Sequence, residues 1–194
     1  EVTRNILQTS ELTDTITKIK VKLMQVKDVR GTANRVTESQ ILDDIELFEL
    51  KAFSLLVVEM RELLLSANIT VVSLPDLEPV VNILDPEKMR IPHFYVYDAY
   101  SPELAALRAK MKTLKMDEKT EERVLDQLQF EHTELEDQIR EKLSEQIHPY
   151  KKEINEALTN TATLDILLAK AQQTIDMQLC KPEISSGTTR YIKI

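Results

Sequence analysis

Apolar residues along this chain recur at alternating steps of three and four in several separate tracts, which is the period of an α-helix packed on one side. In the first tract Leu12, Ile16, Ile19, Leu23 and Val26 keep this spacing behind Ser10, and they predict a helix capped by Ser10 that ends near Gly31. A second helix is expected to open at Thr37, with Gln40 completing a capping box, and to run to about Ala67. Its apolar residues, among them Ile41, Ile45, Phe48, Phe53, Leu56, Val57, Met60, Leu63 and Leu64, cover more than one stripe, so this helix needs neighbours on several sides. It is read as the central strut of a core, with Leu47, Phe48 and Phe53 as its packing residues.

The helical period stops between Asn68 and Pro102, where five of the seven prolines fall. Short helical turns are expected from Asp76 to Leu84, because Pro79 is tolerated in a first turn but not deeper. Phe94 to Tyr97 reads as a short extended segment that could pair with the other β-prone stretch, Thr189 to Ile194. Two strands build no sheet core, so the expected class is all-α, mainly helical, with at most a small two-stranded β element.

Ser101-Pro102-Glu103 then supplies a capping hydroxyl, a proline at the first helical position and an acid at the positive helix end, and predicts a helix to about Leu114. After a polar turn at Lys115 to Thr120, two tracts of roughly 40 Å each are expected, Glu121 to Ile147 and Tyr150 to Met177. One narrow stripe crosses both: Leu128, Leu135, Ile139, Leu143, Ile147, Ile154, Leu158, Thr161, Leu164, Leu168, Ala171 and Ile175. Such a stripe implies a helix laid along a partner, as in a two-stranded coil, and then docked into a core. Pro149 interrupts it, and a ring that crowds the carbonyl four residues back predicts a kink or break between Glu145 and Tyr150. Because Ile147 and Ile154 stay in phase, the rod is expected to bend and continue. The organisation read from this pattern is a helical core over 1–100, a long antiparallel helix hairpin returning to the core over 101–180, and an extended linker over 181–194.

Composition narrows the chemistry. Only two glycines occur, Gly31 and Gly187, so no glycine-rich loop can bring backbone N–H groups onto a phosphate, and P-loop or dinucleotide-fingerprint chemistry is excluded. A formal charge of −8 repels nucleic acid at long range, so DNA is expected to bind only weakly. The single Cys180 can form no internal disulfide, which fits a reducing, cytoplasmic setting. No apolar run reaches the roughly 18 residues of a membrane span, and the greasiest stretch is broken by Glu59, Arg61 and Glu62.

His93, His132 and His148 lack metal-ligand spacing and read as structural or surface residues. Asp43, Asp44, Glu46 and Glu49 suit the start of the strut helix better than a metal cluster. Lys110, Lys112, Lys115 and Lys119, interleaved with acids, suit a solvated hairpin tip rather than a DNA contact. No catalytic, cofactor or metal residue is expected, and the chain is read as non-catalytic.

Three stretches carry a family resemblance. Leu42-Asp43-Asp44-Ile45-Glu46-Leu47-Phe48-Glu49-Leu50-Lys51 resembles a core-domain helix of the MutS mismatch-repair superfamily. Tyr97-Asp98-Ala99-Tyr100-Ser101-Pro102-Glu103-Leu104-Ala105-Ala106-Leu107-Arg108 resembles the turn into that family's ascending lever helix. Thr161-Ala162-Thr163-Leu164-Asp165-Ile166-Leu167-Leu168-Ala169-Lys170-Ala171 resembles the descending lever helix where it re-enters the core.

The resemblance implies a core-and-lever piece of a larger ATPase, relaying conformational change between a nucleotide-binding domain and a DNA- or partner-facing end. ATP and magnesium would then belong to the parent protein. The partners implied are the ATPase domain of the same chain, a homodimer formed through the parent, DNA through the parent, and no membrane. The residues expected to matter are mechanical: Leu47, Phe48 and Phe53 in the strut, Leu104 and Leu107 in the ascending helix, Pro149 at the bend, and Leu164, Leu167 and Leu168 where the lever meets the core. The family's clamp insertion between the lever helices is reduced here to the Lys115 to Thr120 turn, and Ala99 stands where the family often has glycine. The alternative is a stand-alone helical adaptor that binds proteins through the coil stripe.

Overall fold

The computed structural model describes residues 10–115 and 122–179. Their regular structure is entirely helical, about 75% of them, with no strand among the described residues. In chain order the elements are α1 (Ser10–Leu23), α2 (Arg30–Thr37), α3 (Asp44–Ser66), α4 (Glu78–Leu84), a 3-10 turn (Asp98–Tyr100), α5 (Pro102–Lys115), α6 (Glu122–Ile147), a second 3-10 turn (His148–Tyr150) and α7 (Lys151–Asp176). No helix among the described residues is long and apolar enough to cross a membrane.

The strut expected from the sequence is α3, and it is buried on several faces through Leu47, Leu50, Phe53, Leu55, Val57, Val58, Met60 and Leu64. Its start differs from the expected one. Thr37 ends α2, its hydroxyl donating to the Ala33 carbonyl at 2.9 Å, and the chain turns at Ser39, whose φ is 56°. The capping box belongs instead to Asp43 and Glu46: each backbone N–H donates to the other's carboxylate at 2.9 Å. Ile41 and Ile45, assigned to the apolar face, are therefore outside or at the edge of the helix and lie exposed.

The first helix also stops earlier than expected. α1 closes at Leu23, and Asp28 accepts the Arg30 amide at 3.1 Å, which starts α2 in front of Gly31. Gly31 lies inside a helix and has no positive φ, so it does not act as a C-terminal breaker. The side chain of Ser10 and that of Leu12 fall outside the described residues.

α3 ends at Ser66, and Asn68 takes the left-handed conformation (φ 53°) while the Ile69 amide bonds the Leu64 carbonyl, a common way to satisfy the last carbonyls of a helix. The proline-rich segment that follows is not mere connection, because Val72, Leu74 and Leu77 are buried in the core. α4 carries Pro79 in its first turn, as expected. Phe94, Val96 and Tyr97 are buried while Tyr95 is 46% exposed, and the segment has no strand pairing among the described residues. The proposed pairing stretch, Thr189 to Ile194, lies outside the described residues, as does the expected linker over 181–194.

α5 starts at the predicted place, with the Ser101 hydroxyl accepting from the Leu104 amide at 3.2 Å. It packs along α6 as a hairpin; most of the turn expected between them, with Lys119, lies outside the described residues. α6 also touches α4, whereas α7 lies against α1, α2 and α3. The core thus sits around α3, closed on one side by the inner half of α6 and on another by α7.

Candidate functional site at the base of the hairpin

Two polar clusters fix the point where the hairpin leaves the core. The first surrounds Lys51, which is fully buried in α3 between Leu50 and Ala52. Its ammonium donates to Asp85 Oδ1 at 3.0 Å, to the His93 carbonyl at 2.8 Å and to the Tyr97 hydroxyl at 3.1 Å, so all three of its hydrogens have acceptors. It also stands 5.2 Å from the centre of the Tyr97 ring. Asp85 receives the Arg90 amide at 2.7 Å on its other oxygen. Burial alone would raise the Asp85 carboxyl, but the Arg90 amide and the Lys51 ammonium outweigh it and hold the group below its ordinary value.

This cluster ties together α3, the end of α4 and the segment His93–Tyr97, none of which is adjacent in sequence. Lys88 and Arg90, both with positive φ, shape the turn that aims the Arg90 amide at Asp85. Tyr97 packs edge-on to Phe94 and against Tyr100, and the Tyr100 hydroxyl donates to the Ile83 carbonyl at 3.2 Å. Burial pushes the Tyr100 phenol well above its ordinary value.

The second cluster radiates from Arg108 of α5. Its guanidinium donates to the Val96 carbonyl (2.8 Å) and Asp98 (2.5 Å) on the core side, and to His132 Nε2 (3.1 Å) and Glu136 (2.8 Å) on α6. Desolvation works against the cation, yet the Asp98 and Glu136 carboxylates leave Arg108 raised above its ordinary value. One turn along α6, Arg140 pairs with Asp44 at the start of α3 (3.1 Å) and with Asp137 (2.7 Å). Ser144 holds the Leu42 amide at 2.9 Å. Together these bonds tie α6 to α5 and to the front of the strut.

The break predicted at Pro149 is present as the 3-10 turn His148–Tyr150. Ile147 (φ −80°, ψ −32°) and Lys151 (φ −55°, ψ −35°) on either side keep right-handed helical backbone. His148 Nδ1 donates to the Val36 carbonyl at 2.8 Å, and the Ser39 hydroxyl lies against the same ring, which pins the turn to the end of α2.

The residues picked out from the sequence fall in three places. Leu47 and Phe53 are buried in the strut, and Phe48 is half-buried. Leu104 is fully buried at the root of α5, but Leu107 is only half-buried, because Arg108 and not Leu107 makes the link to α6. Leu164, Leu167 and Leu168 line an apolar pocket against Ile16 and Ile19 of α1 and Leu64 of α3. Pro149 itself is exposed. The stripe is buried from Leu128 to Ala171, except that Leu135 and Leu158 are partly covered and Ile175 is 44% exposed past the end of the core.

The acids at the strut are each occupied: Asp43 and Glu46 in the cap, Asp44 by Arg140, Glu49 by the Thr32 hydroxyl at 3.0 Å. Lys51 lies in the first resembling stretch, but nothing in the sequence marks Asp85 as its partner. Arg108 closes the second resembling stretch, while its acceptors on α6 have no sequence signal at all.

No protein-family model matches the chain, and no curated protein matches it.

Proposed function

We propose that this chain is the core-and-lever part of a MutS-like ATPase, relaying movement between a nucleotide-binding domain and a DNA- or partner-facing end. The observation that supports this most is the rod formed by α6 and α7. It runs from the hairpin, through one 3-10 turn, to the face of the core where Leu164 and Leu168 are buried against α1 and α3. A displacement at either end of such a rod is carried to the other, because the rod is held at intermediate points by Arg108, Arg140 and His148. In this reading ATP and magnesium are bound by the parent's ATPase domain, the work is cytoplasmic, and the chain itself performs no chemistry. Direct DNA affinity is weak, since the charge of −8 opposes the phosphate contacts on which duplex binding depends.

Two experiments test the proposal. The coding sequence downstream of Ile194 is expected to continue into a P-loop. In that longer protein, the distance between labels near Val124 and near Gln172 is expected to change with bound nucleotide. A reading frame that ends without a P-loop overturns the proposal in favour of a helical adaptor. In this structure the coil stripe at Leu128 and Met111 is already covered within the hairpin, so an adaptor would have to use exposed groups such as Val124 and Phe130.

A further inference from the structure

Arg108 Nε lies 3.1 Å from His132 Nε2, and a guanidinium has only hydrogens to give, so the imidazole nitrogen is the acceptor. A ring that accepts at Nε2 is neutral and carries its hydrogen on Nδ1, and His132 Nδ1 is buried without a partner. Glu136 Oε1 stands between the same two residues, 2.8 Å from Arg108 Nη2 and 3.4 Å from His132 Nε2. We infer that His132 is a proton-operated latch at the base of the hairpin: neutral, it joins α5 to α6, and protonated, it releases them.

A proton taken from solvent onto Nε2 removes the acceptor and sets an imidazolium against the Arg108 guanidinium. The new N–H points to Glu136, four residues along the same helix, and competes with Arg108 for Oε1. Bonds between two helices are thereby exchanged for one within α6. Arg108 remains held by Asp98 and the Val96 carbonyl, so α5 stays with the core while α6 is freed from it at this level.

The charged groups that bear on the ring come from each packed element. Arg108 faces it from α5, and Asp98 acts from the 3-10 turn through Arg108. On α6 there are Glu136 and, a turn further, Arg140, which Asp44 and Asp137 neutralise. α4 contributes only Glu78, which pairs with Arg90. The ring side chain is 16% exposed, so solvent protons reach it without unfolding. The latch is independent of the function proposed above, because it is a property of this chain alone.

The test is hydrogen exchange by mass spectrometry on the full chain at about pH 7.5 and about pH 5.5. Rates are corrected for intrinsic chemistry and compared with His132→Gln. The glutamine amide oxygen can accept from Arg108 but cannot be protonated in this range. Opening of peptides covering 104–112 and 125–136 is expected to rise on the order of fivefold in the wild type on acidification, the worth of about one hydrogen bond. The variant is expected to stay flat, while responses from His93, His148 and carboxylates cancel between the two proteins. An equal response in His132→Gln overturns the inference. Should that variant misfold, ring nitrogen shifts of the wild type decide: an Nδ1–H tautomer at about pH 7.5 supports the latch, and an Nε2–H tautomer overturns it.

Discussion

Lys51→Met removes the charge at the centre of the core and keeps most of the side-chain volume. Three hydrogen bonds vanish, those to Asp85, the His93 carbonyl and the Tyr97 hydroxyl. Their losses differ. The Tyr97 hydroxyl still donates to the His93 carbonyl at 3.0 Å, and His93 is exposed, so both groups keep partners. Asp85 does not. Its side chain is 2% exposed and retains the Arg90 amide, but its charge is left without a counter-ion.

Breaking a buried ion pair in this one-sided way costs about 3–5 kcal/mol, and the remaining amide bond puts Lys51→Met near the lower end, about 3 kcal/mol. With a urea slope of about 2 kcal/mol/M, the unfolding midpoint followed by far-UV circular dichroism falls by about 1.5 M. Asp85→Asn relieves the stranded charge, so the double variant Lys51→Met/Asp85→Asn is expected to be more stable than the sum of the single losses by about 2 kcal/mol. A loss under about 1 kcal/mol for Lys51→Met, or strict additivity of the two changes, would refute the view that the pair holds α3 to the hairpin base.

Asp85 also sets an acid limit. Its folded-state pKa is depressed, so its contribution is complete above the ordinary carboxylate value of ~3.9 and is lost as the pH falls through the lower folded value. The melting-temperature gap between wild type and Asp85→Asn should therefore be constant from neutral pH to about pH 5 and shrink below about pH 4. Asp43→Ala removes the cap of α3 and is expected to cost ~1 kcal/mol in the same urea assay, while Thr37→Ala, which lies outside that cap, should cost less. Leu104→Ala at the fully buried root of α5 should lose about 3 kcal/mol and half-buried Leu107→Ala clearly less; equal losses would contradict the packing described. Pro149→Ala should shift stability by no more than ~0.5 kcal/mol, because the exposed proline opens a turn at which a missing N–H strands no partner.

The long periodic elements were legible because burial on a helix leaves a three-and-four pattern. α3, α5 and the rod formed by α6 and α7 follow from it, and Pro149 interrupts the rod where the sequence says it must. The misplacements near Gly31 and Thr37 share a cause. Each stretch offers two competing local signals, and the winner is an aspartate at the start of the next helix, Asp43 as its cap and Asp28 through the Arg30 amide, rather than a residue that ends the previous one. The hairpin base was illegible for another reason. Lys51 and Asp85 are 34 positions apart with a proline-rich segment between them, and Arg108 meets Glu136 across a turn. Pairing at that distance depends on how helices stack, and a single sequence carries no period for it.

The 3-10 turn at His148–Tyr150 also acts as a gear. Three residues advancing ~120° each, in place of ~100°, overwind the rod by about 60°. The rod packs on α5 and α4 before the turn and on α1, α2 and α3 after it, so it meshes with two sets of neighbours along its length. What the junction must conserve is its angular phase and not its proline. Inserting or deleting one residue there would rotate the outer half by ~100° and bring solvated glutamates of α6 round to face α5.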